Sequence, residues 1–170
     1  MVRAWIADSL ERARTAAAEK GLRGSAAEAY VAEHRYDVAV AQAAVELQDG
    51  LNAGDPEGTL NDLLTRVLPY HAEVAQKHSL DLIMYEGGSH VVGHGPLVDD
   101  DALTGFFTHL NYTAEMAELY RQLLNAWPDL GGRLFGAYSD VSVAGRWGSW
   151  GALRTLSDDN PRWDMLEAAR

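Results

Sequence analysis

The sequence predicts a helix-rich α/β fold with about two buried parallel strands. Amphipathic patterns of helical period fill most of the 170 residues. Two short apolar runs, at 80–86 and 133–140, have the character of buried strands. From residue 59 onward helices and strands alternate, which is typical of β/α units with a parallel sheet.

The chain divides at a turn-rich segment. Residues 1–50 form a predicted helical segment, in which apolar residues recur at helical spacing. Ser25 followed by Glu28 has a capping-box pattern, which predicts a second helix that runs without a break to about Asp49. Residues 51–58 are rich in Asn, Gly, Asp and Pro, so we expect a linker there.

Residues 59–170 form the predicted β/α portion. Helical spacing covers 59–78, and Pro69 should kink this helix or divide it in two. An amphipathic helix at 115–127 would connect the two strands, and a short terminal helix should follow Pro161.

The net charge of the chain is negative and unevenly distributed, and it limits the classes of partner that we expect. The chain has 14 basic and 25 acidic residues, a formal net charge of −11. Such a field repels phosphate, so we expect no nucleic-acid partner, and it suits neutral ligands such as sugars or cations. The absence of cysteine excludes disulfides and thiolate metal sites. With no apolar stretch of about 18 residues and no signal-peptide pattern, we expect no membrane partner, and the chain shows no targeting signal.

Glu86 is the first candidate for chemistry. It ends the apolar run 80–86, at the position where β/α proteins place active-site groups. Gly87 and Gly88 allow the backbone to turn sharply there and allow a ligand to approach closely. An ordinary acid at a strand end, followed by a glycine turn, would have the same pattern.

The second candidate is a loop with two tryptophans. Trp147 and Trp150 lie three residues apart among glycines. Their flat rings could stack on the apolar face of a sugar, or they could be core anchors whose bulk requires small neighbours. Asp140, at the end of the second strand, could orient a substrate hydroxyl or bond to loop amides.

Histidines provide a rival hypothesis. His90 and His94 lie near three aspartates, Asp99 to Asp101, and these residue types are metal ligands. The glycines around His94 indicate a loop, where a spacing of four carries little information. A hydrogen-bonding role of His90 in a polar pocket is the interpretation that we favour, and we expect neither a metal nor another cofactor.

The run 82–90, Leu-Ile-Met-Tyr-Glu-Gly-Gly-Ser-His, resembles the "YEGG(x)H" strand-seven segment of a group of bacterial glycoside-hydrolase-like barrel proteins. Further segments resemble that family in the same order, and they are the helix 112–127, the strand 134–140, the loop 147–153 and the tail 160–164. The resemblance covers roughly residues 59–170, whereas residues 1–50 match only loosely the helical material after strand six.

The resemblance implies the C-terminal portion of a TIM-type (β/α)8 barrel, with the strands 80–86 and 133–140 as strands seven and eight. It implies a retaining glycoside hydrolase that acts on a poly- or oligosaccharide, with Glu86 as the nucleophile. Substrate-binding residues would then be found among the neighbours of this carboxylate and in the later loops, namely Tyr85, His90, Asp140, Trp147 and Trp150.

The acid/base of that family lies in an upstream Asn-Glu segment, and nothing in residues 1–79 resembles it. This chain would therefore act only within a complete barrel. Two parallel strands leave open sheet edges, so the missing barrel half, or self-association, is the expected protein partner. The alternative is a noncatalytic carbohydrate-binding or assembly domain that retains a barrel remnant.

Overall fold

Helices dominate the computed structural model of the protein, which describes residues 1–169. The helices are α1 (Val2–Glu19), α2 (Gly24–His34), α3 (Asp37–Asp49), α4 (Leu60–Asp62), α5 (Leu68–Lys77), α6 (Asp101–Leu110), α7 (Ala114–Asp129) and α8 (Pro161–Ala168). A π-helical turn, Leu63–Val67, joins α4 to α5, and a 3₁₀ helix, Gly95–Asp99, precedes α6. No helix among these residues is both long and apolar enough to cross a bilayer.

Two strands, β1 (Leu82–Gly87) and β2 (Gly132–Ala137), form a parallel sheet, and α6 and α7 connect them. The predicted α/β class and the parallel pairing are therefore confirmed. The prediction that both strands are buried was wrong, since Gly87 is their one buried residue and one face of the sheet is uncovered. Each strand is one or two residues shorter than its predicted apolar run, since β1 begins at Leu82 and the chain leaves the sheet after Ala137 at the end of β2. The part of the chain that the structure describes contains these two strands and no others, so a barrel stays a proposal.

One face of the sheet is covered by α7. The ring of Phe135 on β2 meets the ring of Trp127 edge to face, at a centroid distance of 5.7 Å. A Cβ atom at Gly132 would lie 2.1 Å from the Trp127 ring, so only glycine fits where β2 begins. Met84 is partly buried, whereas its neighbours on the opposite face of the strand are exposed.

The other face of the sheet is open and apolar. Ile83 is 53% exposed, Tyr85 78% and Leu134 60%. Ile83 pairs with Leu134 in the register of the two strands, so these side chains form one patch. Parallel sheets normally have both faces covered. This face therefore lacks the cover that parallel sheets normally have.

The core joins the helical segment 1–50 to the β/α portion. Trp5, Tyr36 and Val40 belong to the same buried cluster as Phe106 and Met116. At its rim, Arg3 on α1 binds the carboxylate of Asp100, with 2.8 Å between Nε and Oδ2. Asp100 also accepts a 3.0 Å hydrogen bond from the amide of Leu103, and these contacts lower the pKa of its carboxyl group. The two segments therefore fold around one core.

Two local predictions for the helices were wrong, and a third is met only in part. The predicted helix from Ser25 to Asp49 is divided at Arg35 and Tyr36, because the Tyr36 ring turns inward against Phe106, at a centroid distance of 5.4 Å. Ser25 is not a cap, since α2 begins at Gly24 and no side chain caps it. Near Pro69 the helix changes type and is not interrupted, because the π-helical turn leads directly into α5 and residues 60–77 are helical throughout.

Candidate functional site

A cleft opens where the carboxyl ends of β1 and β2 meet. Glu86 stands at the end of β1, and Tyr138 directly follows β2. The amide of Tyr138 donates a 2.9 Å hydrogen bond to the carbonyl of Gly87, which holds the two chain segments together beyond the sheet. The cleft has a volume of about 330 Å³ and is lined by Glu86, Gly87, Gly88, Ser89, His90, Tyr138 and Trp150.

The two glycines after Glu86 are required by close packing. A Cβ atom at Gly87 would lie 2.3 Å from the ring of Phe135, and one at Gly88 would lie 2.7 Å from the hydroxyl of Tyr120. Gly88 also has φ +147°, in a region that side chains disfavour. The backbone of the two glycines therefore packs closely against Phe135 and Tyr120, and Glu86 lies at the edge of the open cleft.

An aromatic wall faces this turn. The Trp150 ring lies 5.6 Å from the His90 ring and 6.0 Å from the Tyr138 ring, measured between centroids. Gly148 leaves the space for it, since a Cβ atom there would lie 2.6 Å from Trp150. The wall combines one flat apolar ring with the imidazole and the phenol hydroxyl.

The loop that carries Trp150 is held at its base by backbone hydrogen bonds. The amide of Ser139 donates to the carbonyl of Trp150 at 2.9 Å, and the amide of Ala152 donates to the carbonyl of Ser139 at 2.8 Å. Gly145 and Gly148 exchange two further bonds, of 2.9 and 3.1 Å, which form a tight turn at the tip. Hence the loop has a defined shape although it belongs to neither strand.

Behind the cleft lies a buried polar network that the sequence did not reveal. Ser89 donates its hydroxyl to Asn111 at 2.6 Å, and its amide donates to the Tyr120 hydroxyl at 2.8 Å. The guanidinium of Arg162 reaches the same asparagine at 3.5 Å and donates to the carbonyl of Ser149 at 3.0 Å. Periodicity places Arg162 on a polar stretch of a short helix, and only the tertiary fold shows that this side chain points inward.

Tyr112 lies beside this network. Its hydroxyl donates to the carbonyl of Gly151 at 3.0 Å, and the residue is buried. Burial raises the pKa of Tyr112, because the phenolate would lose its hydration, although the positive charges of Arg162 and Arg154 oppose that effect. The phenol therefore serves as a neutral donor to the loop.

Three predicted site residues meet in the cleft, and three do not. Glu86, His90 and Trp150 line it. Tyr85 belongs to the open face of the sheet, and the exposed Trp147 ring lies under the guanidinium of Arg146, at 5.6 Å. The remaining residue is Asp140, whose side chain is exposed, while its carbonyl accepts a 3.0 Å bond from Leu153.

Residues 1–169 provide no set of side chains that would support the hypothesis of a metal site. Asp99 forms an ion pair with Arg146, and Asp100 caps α6. Among residues 1–169 no group of three or more His, Asp or Glu side chains is arranged to hold a metal ion. Two of the three aspartates near His94, Asp99 and Asp100, thus have structural partners.

The chain was compared with family models, with curated proteins and with solved structures. None of them matches it.

The residues of the cleft suit the binding of a hydroxyl-rich ring. Carboxylate, imidazole and phenol groups form hydrogen bonds with hydroxyls, and the Trp150 ring can stack on C–H groups. Glu86 is the only carboxylate among the lining residues. Ser89 is no nucleophile for His90, because its hydroxyl is bonded to Asn111.

Proposed function

We propose that the protein is the C-terminal portion of a (β/α)8-barrel glycoside hydrolase and that its cleft binds a sugar ring of a poly- or oligosaccharide. One observation carries the proposal. Glu86 lies at the end of β1 and Trp150 lies in the loop after β2, and both line one cleft at the carboxyl ends of two parallel strands. In barrels this is the end that binds substrate. Trp150 would stack on the ring while Glu86 and His90 bind its hydroxyls.

Glu86 would act as the nucleophile of a retaining mechanism. In that mechanism one carboxylate attacks the anomeric carbon, and a second carboxyl group, about 5 to 5.5 Å away, serves as acid and then as base. No second carboxylate lines the cleft among the described residues, so the acid/base must come from the polypeptide that supplies the other strands. No cofactor enters this chemistry.

The open sheet face supports a role for such further polypeptide. Ile83, Tyr85 and Leu134 are exposed on it, and each strand has one unpaired edge. Strands that continue the sheet on both sides would pair these edges, and closure into a barrel would bury the apolar patch. We therefore propose the remaining β/α units as the partner, with self-association as the alternative.

Noncatalytic carbohydrate binding is the second candidate. It is favoured by the single carboxylate of the cleft, because a binding site needs no acid/base pair. Asp140 and Trp147 lie outside the cleft, and in either case we propose that they contact sugar units beyond the ring that Trp150 binds. Tyr85 lies on the sheet face that closure of a barrel would bury, so it is available to a sugar only in the noncatalytic case.

Binding can be tested on the chain by itself. Neutral β-linked hexasaccharides would be titrated into the protein while tryptophan fluorescence and heat are recorded. We expect quenching that saturates, and Trp150→Phe should lower the affinity about tenfold, which corresponds to about 1.4 kcal/mol. Glu73→Gln, on an exposed helix, is a control that should bind like the wild type. No binding of any glycan would refute both candidates.

Hydrolysis can then be tested in the complete barrel, reconstituted from this chain and the polypeptide with the other strands. Glu86→Gln should abolish turnover and retain binding, and NMR of the first product should show the retained anomeric configuration. Binding without turnover in the wild type would identify the noncatalytic function. Unchanged turnover in Glu86→Gln would exclude Glu86 as the nucleophile.

A further inference from the structure

Arg162 is a buried cation that points from α8 toward the back of the cleft. It is 1% exposed, although it follows Pro161 at the start of a short helix. Its Nη1 donates to the carbonyl of Ser149 at 3.0 Å, and its Nη2 donates to the carbonyl of Gly151. These two carbonyls flank Trp150, so the guanidinium holds the backbone on both sides of the ring that forms the wall of the cleft.

The same guanidinium is linked to the turn that carries Glu86. Its Nη1 lies 3.5 Å from Oδ1 of Asn111, and this oxygen also accepts the hydroxyl hydrogen of Ser89 at 2.6 Å. Ser89 comes three residues after Glu86 and lines the cleft. Arg162 is therefore bonded directly to the loop that carries Trp150, and it is connected through Asn111 to Ser89 on the Glu86 side of the cleft.

The charge of Arg162 has no carboxylate partner within ion-pair distance among residues 1–169. Its partners are carbonyl and amide oxygens and two aromatic rings, Tyr112 at 4.6 Å and Tyr120 at 5.8 Å from the guanidinium carbon. Burial of an unpaired charge is costly. A planar fork of several donors, which lysine lacks, explains why arginine occupies this position.

We propose that Arg162 is a positioning residue of the cleft, which sets the separation between the Glu86 turn and the Trp150 ring and so preorganises the site for a sugar. It acts through Ser149, Gly151 and Asn111 and touches no ligand itself. The effect of Arg162 on sugar binding rests on the proposed function, whereas its effect on the geometry of the cleft concerns the ligand-free protein alone.

Arg154 offers a matched control. Its guanidinium carbon lies 4.5 Å from the centre of the Tyr112 ring, close to the 4.6 Å of Arg162. Unlike Arg162, it is exposed and is bonded to Asp158. Replacement of a guanidinium over Tyr112 is therefore common to substitutions at both positions, and loss of the donors to the loop is specific to Arg162.

The experiment uses the full chain labelled with fluorotryptophan, with the resonance of Trp150 assigned through Trp150→Phe. Arg162→Lys keeps the charge and loses the fork, so we expect a selective shift or broadening of the Trp150 resonance in a protein that still unfolds cooperatively. Arg154→Lys should leave all five tryptophan resonances unchanged. Methylguanidinium, added to Arg162→Gly, should restore the Trp150 resonance toward its wild-type position.

Ser89→Ala provides a variant that does not disturb α8. It removes the bond to Asn111 on the Glu86 side, so we expect the Trp150 resonance to stay in place. In titrations with neutral hexasaccharides, both Arg162→Lys and Ser89→Ala should reduce the affinity by about tenfold relative to Arg154→Lys, since each moves one wall of the cleft.

The outcomes separate the positioning role from the proposed function. If the wild type binds no glycan, the proposed function fails, and the Trp150 resonance in the ligand-free chain still decides the positioning role. A Trp150 resonance that is unchanged in Arg162→Lys would overturn the proposal. Equal changes at all tryptophans would overturn it as well, because they would show a general loss of structure.

Discussion

His90 and Trp147 are joined across the cleft, with 3.1 Å between Nε2 of the histidine and the carbonyl oxygen of the tryptophan. Because a carbonyl can only accept, Nε2 carries the hydrogen, and in the neutral ring Nδ1 remains an acceptor. The contact ties the loop after β1 to the loop after β2. It also holds the imidazole beside Trp150, at a centroid distance of 5.6 Å.

Substitution of His90 should make the loop after β2 more mobile, because the hydrogen bond to the carbonyl of Trp147 is lost. We expect His90→Ala to accelerate hydrogen exchange in the backbone of residues 145–150 and to weaken oligosaccharide binding by about tenfold, since an unheld loop must be ordered when the ligand binds. His94→Ala removes an exposed histidine of the same segment and serves as the control. Equal exchange rates in the two variants would contradict the prediction.

The pH dependence of stability should depend on the loop before α8. Asp158 accepts hydrogen bonds from both the amide and Nε of Arg154, each at 2.8 Å. The side-chain bonds of Arg154 hold the pKa of Asp158 well below its usual range of about 4. The folded state therefore binds a proton less readily than the unfolded chain does.

The stabilising effect of Asp158 is thus fully present above about pH 4 and is lost as the pH falls further. Asp158→Asn should lower the urea midpoint near neutral pH and should flatten the fall of stability below about pH 4. Urea titrations at several pH values measure both effects. The exposed Asp129→Asn is the control, and an acid dependence that is equally steep in Asp158→Asn would count against the prediction.

The sequence predicted those parts of the fold that depend on local pattern. The alternation after residue 59 places β1 and β2 within a few residues of their observed bounds, and the amphipathic spacing locates α7. The break at Tyr36 was not predictable from periodicity, because its cause is a contact with Phe106, seventy residues later in the chain. The capping-box pattern at Ser25 was also misleading, because α2 begins one residue earlier, at Gly24, and no side chain caps it.

Part of the candidate site could be predicted from the sequence, because some of its residues adjoin a predicted strand end. Glu86 and His90 adjoin a predicted strand end, which is a position with chemical meaning. The spacing of Trp147 and Trp150 did not distinguish a ligand wall from a core anchor, and the structure shows Trp150 in the cleft and Trp147 exposed. Tyr138 had no signal, because the apolar run continued past it.

Gly148 should control the position of Trp150. A Cβ atom there would lie 2.6 Å from the indole, so Gly148→Ala should displace the ring and reduce oligosaccharide affinity by about tenfold or more, with a change in the maximum of tryptophan emission. Gly145→Ala in the same loop meets nothing within 4 Å and should bind like the wild type. Calorimetric titration distinguishes the two variants, and identical affinities would oppose this role of Gly148.

The charge of the cleft should select among glycans. No lysine or arginine lines it, and the neighbouring Arg146 is paired with Asp99. We expect neutral hexasaccharides to bind and oligouronates of the same length to bind at least tenfold more weakly, because the carboxylate of Glu86 and the net charge of −11 repel them. The discrimination should shrink in high salt, as screening requires. Preferential binding of uronates would contradict the expectation.

The open sheet face should make the chain associate when no further strands are supplied. The register pairs Ile83 with Leu134, both exposed, so a lysine at one position places a charge in the centre of the apolar patch. We expect sedimentation equilibrium to show concentration-dependent association of the wild type and a monomer for Leu134→Lys.

Leu156→Lys provides the matched control for that measurement, because Leu156 is 89% exposed but lies in the loop before α8. It should associate as the wild type does, since the association depends on the sheet face and not on exposed leucines in general. If Leu134→Lys and Leu156→Lys both remain associated, the contact lies elsewhere. If association is lost only in Leu134→Lys, the face that self-associates is the one that strands of a closed barrel would cover.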